Sequence, residues 1–253
     1  MRRALLALLA LAGLALSLPA AAMVGGAGKP ARAIANAVVV VVGSRGNFCS
    51  GVALAGDLVL TAAHCVLPGA DYKIVEYGAA QPELRDVRQV RAHPDFNLQT
   101  LLAHRATADV ALIKLAAPLR SATPVALAAR DLNVAVGDSF TVAGAGVAVR
   151  GDGKSGGTVR AADLVATGQP GTLQIRLYDA ATRGDKDGLG ACTGDSGAPV
   201  FRRDAEGASI IGVVSWSTGP RNSAGCGGLT GVTPIARYRG WITDTAKILG
   251  NQL

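Results

Sequence analysis

The chain has 253 residues, enough for one large domain or two small ones. With 49% hydrophobic and only 17% charged residues it is not an intrinsically disordered chain, and 33 glycines with 4% aromatics fit a turn-rich sandwich or barrel. The net charge of +7 is scattered, with no Lys/Arg block and no reader motif, which speaks against nucleic acid as a partner.

Taken in chain order, Met1-Arg2-Arg3 is a short basic start, 4–18 is almost wholly apolar, and Ala20-Ala21-Ala22 is a small-residue cleavage signature. Residues 1–22 therefore read as a secretory signal peptide, too short in its apolar run for a membrane span. Short β-type runs follow at 37–42, 51–55, 58–61, 73–76, 87–92 and 110–115. The stretch 116–131, with Pro118 and Pro124, has little periodicity and reads as a linker. A second set of runs lies at 139–143, 158–166, 172–178, 198–201, 209–215 and 229–234. Residues 235–249 carry apolar residues at helical spacing and stop at Gly250. The expected organisation is a leader (1–22), two β-rich halves (23–120 and 121–234) and a helical tail (235–253). Few helices separate the strands, which argues against a parallel α/β sheet.

Two motifs are decoys. Ala148 to Ser155 nearly matches a phosphate-binding loop, but Ala148 stands where Gly is required and no helix follows. Arg-Gly-Asp occurs at 150–152 and 183–185, where solvated turns are the better reading.

Three short motifs carry chemistry. Thr61-Ala62-Ala63-His64-Cys65 follows an apolar strand, Asp109 stands at the mouth of the apolar run 110–115, and Gly194-Asp195-Ser196-Gly197-Ala198-Pro199 precedes another strand. Each alone has a bland reading as core residue, turn or exposed charge. Together, in the order His, Asp, Ser in an exported β-rich chain, they point to nucleophilic acyl transfer. The four cysteines allow three pairings, and export favours disulfides over metal ligation.

On these motifs, with Val214-Ser215-Trp216 and the spacing Tyr238-x-x-Trp241-Ile242, the chain resembles the trypsin and chymotrypsin family from Met23 to its C-terminal helix. The resemblance implies an all-β fold of two antiparallel six-stranded barrels with a C-terminal α-helix. It implies His64 as general base, Asp109 as its orienting acid and Ser196 as nucleophile. The backbone N–H groups of Gly194 and Ser196 would form the oxyanion hole, and Ser215 would help orient Asp109. It implies disulfides Cys49–Cys65 and Cys192–Cys226, while a third family disulfide has no cysteines here.

Met23-Val24-Gly25-Gly26 resembles the family's mature start, with Met for the usual Ile, so the freed amine of Met23 is expected to pair with Asp195. Cleavage after Ala22 would itself expose that amine. Ala198, where Gly is usual, is a second departure. The substrate pocket is expected to have Gly190 at its floor and Ser215, Trp216, Ser217 and Gly231 around it. Trypsin-type enzymes carry Asp at the floor; here the nearest acid is Asp187, expected outside the pocket. Val214 replaces the pocket His of glutamyl-specific relatives. The expected preference is for Phe, Tyr, Leu or Met before the scissile bond, narrowed by Ser217 toward Leu or Met.

The family's calcium loop is shortened, and Glu76 and Glu83 alone do not establish a site. No cofactor or metal is expected. The expected partners are peptide or protein substrates and protein inhibitors, with no nucleic acid and no membrane, for an extracellular or periplasmic monomer. His93 and His104 read as surface-loop residues. The rival reading is an inactive binding protein on the same fold, but such chains usually lose a triad residue, and here all three are present.

Overall fold

The computed structural model describes residues 23–76, 81–103, 105–129, 133–167, 173–205 and 207–253. The leader expected at 1–22, His104 and the start of the run expected at 172–178 lie outside them. A short helix α1 (Arg32–Ala37) leads into β1 (Val38–Gly43), followed by β2 (Phe48–Ala55), β3 (Leu58–Thr61), β4 (Tyr72–Glu76) and β5 (Glu83–Ala92). A second short helix, α2 (Leu98–Leu102), precedes β6 (Ala111–Leu115). The later half contains β7 (Ser139–Gly144), β8 (Arg160–Ala166), β9 (Ile175–Tyr178), β10 (Pro199–Asp204), β11 (Gly207–Ser217) and β12 (Thr230–Pro234), then the helix α3 (Ile235–Ile248).

Among the described residues these strands close into two antiparallel barrels of six strands. The first runs β1-β2-β3-β6-β5-β4 and the second β7-β8-β9-β12-β11-β10, the same order shifted by six. This is the chymotrypsin-like fold expected from the sequence. The two short helices were not expected. In α2, Asn97 accepts the N–H of Thr100 at 2.9 Å, an N-cap bond that stabilises a single turn too short to show periodicity.

The uninterrupted valines of β1 follow from burial on both faces, which removes the usual apolar/polar alternation. Val39 and Val41 point into the first barrel with Ala53, Val59, Ile74 and Ile113. Val38, with Val52, Leu58, Leu60 and Leu112, points outward into a second cluster with Phe201 and Val213 of the other barrel. Helix α3 closes that outer cluster with Ile235, Tyr238, Ile242 and Ala246, spaced three or four apart on one face. It ends before Gly250, whose φ of +86° suits a left-handed C-terminal cap. Lys114 of β6 then meets Asp57 at 2.5 Å and Asn251 at 2.8 Å, and Asn251 donates to Asp57 at 2.7 Å.

Candidate active site

His64 lies in a single 3₁₀ turn after β3, tied to β2 by the disulfide Cys49–Cys65. Asp109 stands just ahead of β6 and is wholly buried. Its Oδ1 accepts the backbone N–H of His64 at 2.9 Å, and its Oδ2 lies 2.8 Å from His64 Nδ1. A third donor arrives from the other barrel: Ser215 Oγ donates to the same Oδ2 at 2.5 Å. These three donors satisfy a buried carboxyl that water does not reach. With Nδ1–H committed to Asp109, the imidazole's free base position is Nε2.

A bulge supplies the third donor. β11 pairs with β12 as Val214↔Val232 and then Trp216↔Gly231, so Ser215 is the extra residue. Such bulges re-aim a side chain.

The same bulge sets which residues stand opposite each other beyond Ser215. Gly231 stands opposite Trp216, and a Cβ added there would enter the indole ring, so it shares Trp216's face rather than that of Ser217. Thr230 stands opposite Ser217, is fully buried and accepts the Ala191 N–H at 3.1 Å on Oγ1. Thr230 and Ser217 thus share one face of this ribbon, and Gly231 and Trp216 the other. Gly190 is buried, with Gly227 Cα only 3.2 Å from where its Cβ would lie. The disulfide Cys192–Cys226 joins the two sides of this region. Asp179 sits behind it, accepting the N–H groups of Ala181 at 3.0 Å and Leu189 at 3.2 Å. Asp187 is exposed and lines a cavity of about 360 Å³ with Val24, Arg150 and Gly219.

Ser196 sits in a turn whose two glycines are sterically required. Gly194 has φ +91°, and a Cβ there would lie 2.7 Å from Phe48 Cδ1. Gly197 has φ +77°, and its Cβ would strike Thr61 Oγ1 and the Ser50 carbonyl. The turn therefore nests directly against β2 and β3 of the other barrel. Asp195, between these glycines, is wholly buried; Oδ1 accepts the Gly146 N–H and Oδ2 the Cys192 N–H, both at 2.9 Å. Burial outweighs those two bonds and pushes its carboxyl up to about 7. Met23 is fully buried in the same apolar cluster as Ala191, Ala198 and Val200, and Val24 bridges to Gly190.

One secondary expectation changes. His93 is half-buried, its ring 5.1 Å from that of Tyr238 and 4.8 Å from that of Trp241, so it joins the β5–α2 loop to α3 rather than lying free on a surface loop. Desolvation lowers its pKa, against the attraction of Asp95. Glu76 and Glu83 share Arg85, whose guanidinium lies 2.8 Å from the first and 2.6 Å from the second. Glu76 also accepts from Ser121 N–H, Ser121 Oγ and Ala122 N–H. Burial raises the pKa of Glu76, but these donors together hold it below the usual carboxylate value.

Comparison with known proteins places these features in context. The sequence profile of the family described as Trypsin matches residues 23–242. Trypsin epsilon of Drosophila erecta is 28% identical over 216 residues, covering 79% of this chain and 78% of the relative. Trypsin-3 of Salmo salar is 29% identical over 220 residues, covering 79% and 83%. A trypsin of Sarcophaga bullata is 30% identical over 229 residues, covering 80% of each chain.

Proposed function

The chain belongs to the trypsin family of serine endopeptidases, and from that premise we propose that His64, Asp109 and Ser196 act as its triad on protein substrates, cleaving after uncharged apolar residues. The convergence of His64 and Ser215 on the buried Asp109 carboxylate is the observation that carries this reading. Ser196 Oγ attacks the scissile carbonyl carbon while His64 Nε2 takes its proton. The resulting oxyanion is held by the Gly194 and Ser196 N–H groups. Collapse breaks the C–N bond, and His64 returns the proton to the leaving amine. Water then repeats the sequence on the acyl-enzyme and frees Ser196.

The pocket reading rests on charge and size. Gly190 offers no counter-charge at the floor, so burying Arg or Lys there is unfavourable. Ser217 takes up space that a glycine would leave open, which favours Leu and Met over Phe and Tyr.

The assigned leader is 1–22, the barrels are 23–120 and 121–234, and the tail is 235–253. Two disulfides suit an oxidising compartment, which supports export. Cleavage after Ala22 frees the Met23 amine to pair with Asp195, so that no further propeptide is needed. The enzyme works as a monomer open to protein inhibitors.

The test is hydrolysis of matched peptides with Leu, Met, Phe, Ala, Arg or Glu before the scissile bond, using protein that starts at Met23 and its Ser196→Ala variant. Turnover is expected after Leu or Met and absent in the variant. Turnover after Arg would keep the triad and overturn the pocket. A protein with an intact Met23 start that cleaves none of the peptides would favour an inactive binding protein.

A further inference from the structure

Gly194 has no Cβ and a left-handed φ of +91°, so its own chain does little to fix the peptides on either side. An oxyanion hole, by contrast, works only if its donors are fixed before the charge develops. Within the turn, Asp195 N–H donates to the Cys192 carbonyl at 3.0 Å. From outside it, Val147 N–H donates to the Thr193 carbonyl at 2.8 Å and Gly197 N–H donates to the Val214 carbonyl at 2.7 Å. Three further bonds come from one residue of the opposite barrel, Ser50 of β2.

Ser50 is fully buried. Its Oγ donates to the Gly194 carbonyl at 2.9 Å and accepts the Ala145 N–H at 3.0 Å. Its backbone N–H donates to the Ser196 carbonyl at 2.8 Å. Its own carbonyl is held by Thr61 Oγ1 at 2.7 Å, from β3 beside the His64 turn. One side chain and its peptide thus hold the carbonyls of both residues read as the oxyanion donors, and the grip is anchored in the strand that leads to His64.

We propose that Ser50 is a positioning residue that sets the oxyanion hole from the opposite barrel, with its hydroxyl clamping the Gly194 peptide. The proposal rests on the reading that Gly194 and Ser196 supply the oxyanion donors. Removing the hydroxyl leaves a buried N–H and a buried carbonyl without this partner, and the turn relaxes to find others.

The test compares Ser50→Ala with the unaltered enzyme, both starting at Met23. The expected result is a kcat reduced roughly 10- to 100-fold with KM unchanged, part of the loss typical of deleting a whole oxyanion donor. A peptide aldehyde, whose adduct with Ser196 places an oxyanion in the hole, should lose affinity by the same factor. The matching peptide alcohol, which cannot form that adduct, should bind both proteins equally. An unchanged kcat, or aldehyde and alcohol weakened alike, would overturn the proposal. Should Ser50→Ala fail to accumulate, Thr61→Val releases the same strand one bond further back and should give the same pattern at smaller amplitude; a wild-type kcat there would overturn it equally. Failure of the underlying reading looks different: the unaltered enzyme would show no preference for aldehyde over alcohol.

Discussion

The two barrels share one strand order, but Glu76 and Asp57 of the first and Asp195 of the second are held in opposite ways. In the first, Glu76 and Asp57 are surrounded by donors: Arg85, Ser121 and Ala122 for one, Lys114 and Asn251 for the other. Burial raises both pKa values, but the donors outweigh it and hold both carboxyls below their usual range. In the second, Asp195 accepts two backbone N–H groups and burial wins, pushing it up to about 7. Glu76 and Asp57 each meet a cation, whereas Asp195 meets none among the described residues. That acid is the neighbour of Ser196 in sequence.

The strongest test of this division asks whether the barrels can be separated chemically at all. His64→Ala in the first and Ser196→Ala in the second should each reduce kcat on the order of 10⁶, and the double variant should be no worse than either. Active-site titration and single-turnover kinetics would check this. Losses that multiply would mean that the two residues do not act as one unit.

A smaller effect, of a few kcal/mol, concerns pH. An acid with a depressed native pKa stabilises above its unfolded value, and that stability is lost as pH falls through the native value. Glu76 and Asp57 should therefore make the fold acid-labile below about pH 4.5, the ordinary value for Glu76. Asp195 has the opposite sign. Its raised pKa means that the native chain binds more protons, so stability falls as pH rises from about 3.8 through 7. A free Met23 ammonium should cancel that second slope by pairing with the carboxylate. Thermal unfolding of the Ser196→Ala chain from pH 3 to 8, with and without two extra residues ahead of Met23, would show it. The extended chain should lose stability toward pH 7 and the chain starting at Met23 should not. Equal slopes would remove the Met23–Asp195 pair from the account.

The smallest effect tests the completed charge of the first barrel. Asn251→Ala should cost about 1 kcal/mol, the usual net value of such a bond, and lower the unfolding midpoint by roughly 2–4 °C. Calorimetry would read it. A much larger drop would mean that Lys114 and Asp57 cannot hold each other without Asn251.

Strand positions were legible because β1 and β3 are β-branched or aliphatic throughout, and because Gly-rich turns bound most others. The pairing of His64 with Asp109 was legible because each sits in a short motif beside a strand. Register was not. The bulge at Ser215 depends on the fit of β11 against β12, and a one-residue slip turns every later side chain to the other face. That slip sets Gly231 against Trp216 and Thr230 against Ser217, a pairing that spacing alone does not reveal. Ser50 was missed for a related reason: its partners lie 95 and 144 residues away, and nothing local distinguishes it. Arg85 between two glutamates was equally invisible as a pair, although Glu76 and Glu83 were each noticed.

Helix α3 and Asn251 belong to the last stretch of the chain, yet they cover the outer valines and leucines of the first barrel and complete the charges of Lys114 and Asp57. Translation delivers them after all twelve strands. The N-terminal barrel can therefore close its strands early but cannot seal its outer face until 235–251 has emerged. A nascent chain that stops short of α3 keeps that apolar face open. Assembly of the cleft is thus tied to completion of the chain, and a truncated product should be recognised by proteases and chaperones as unfinished.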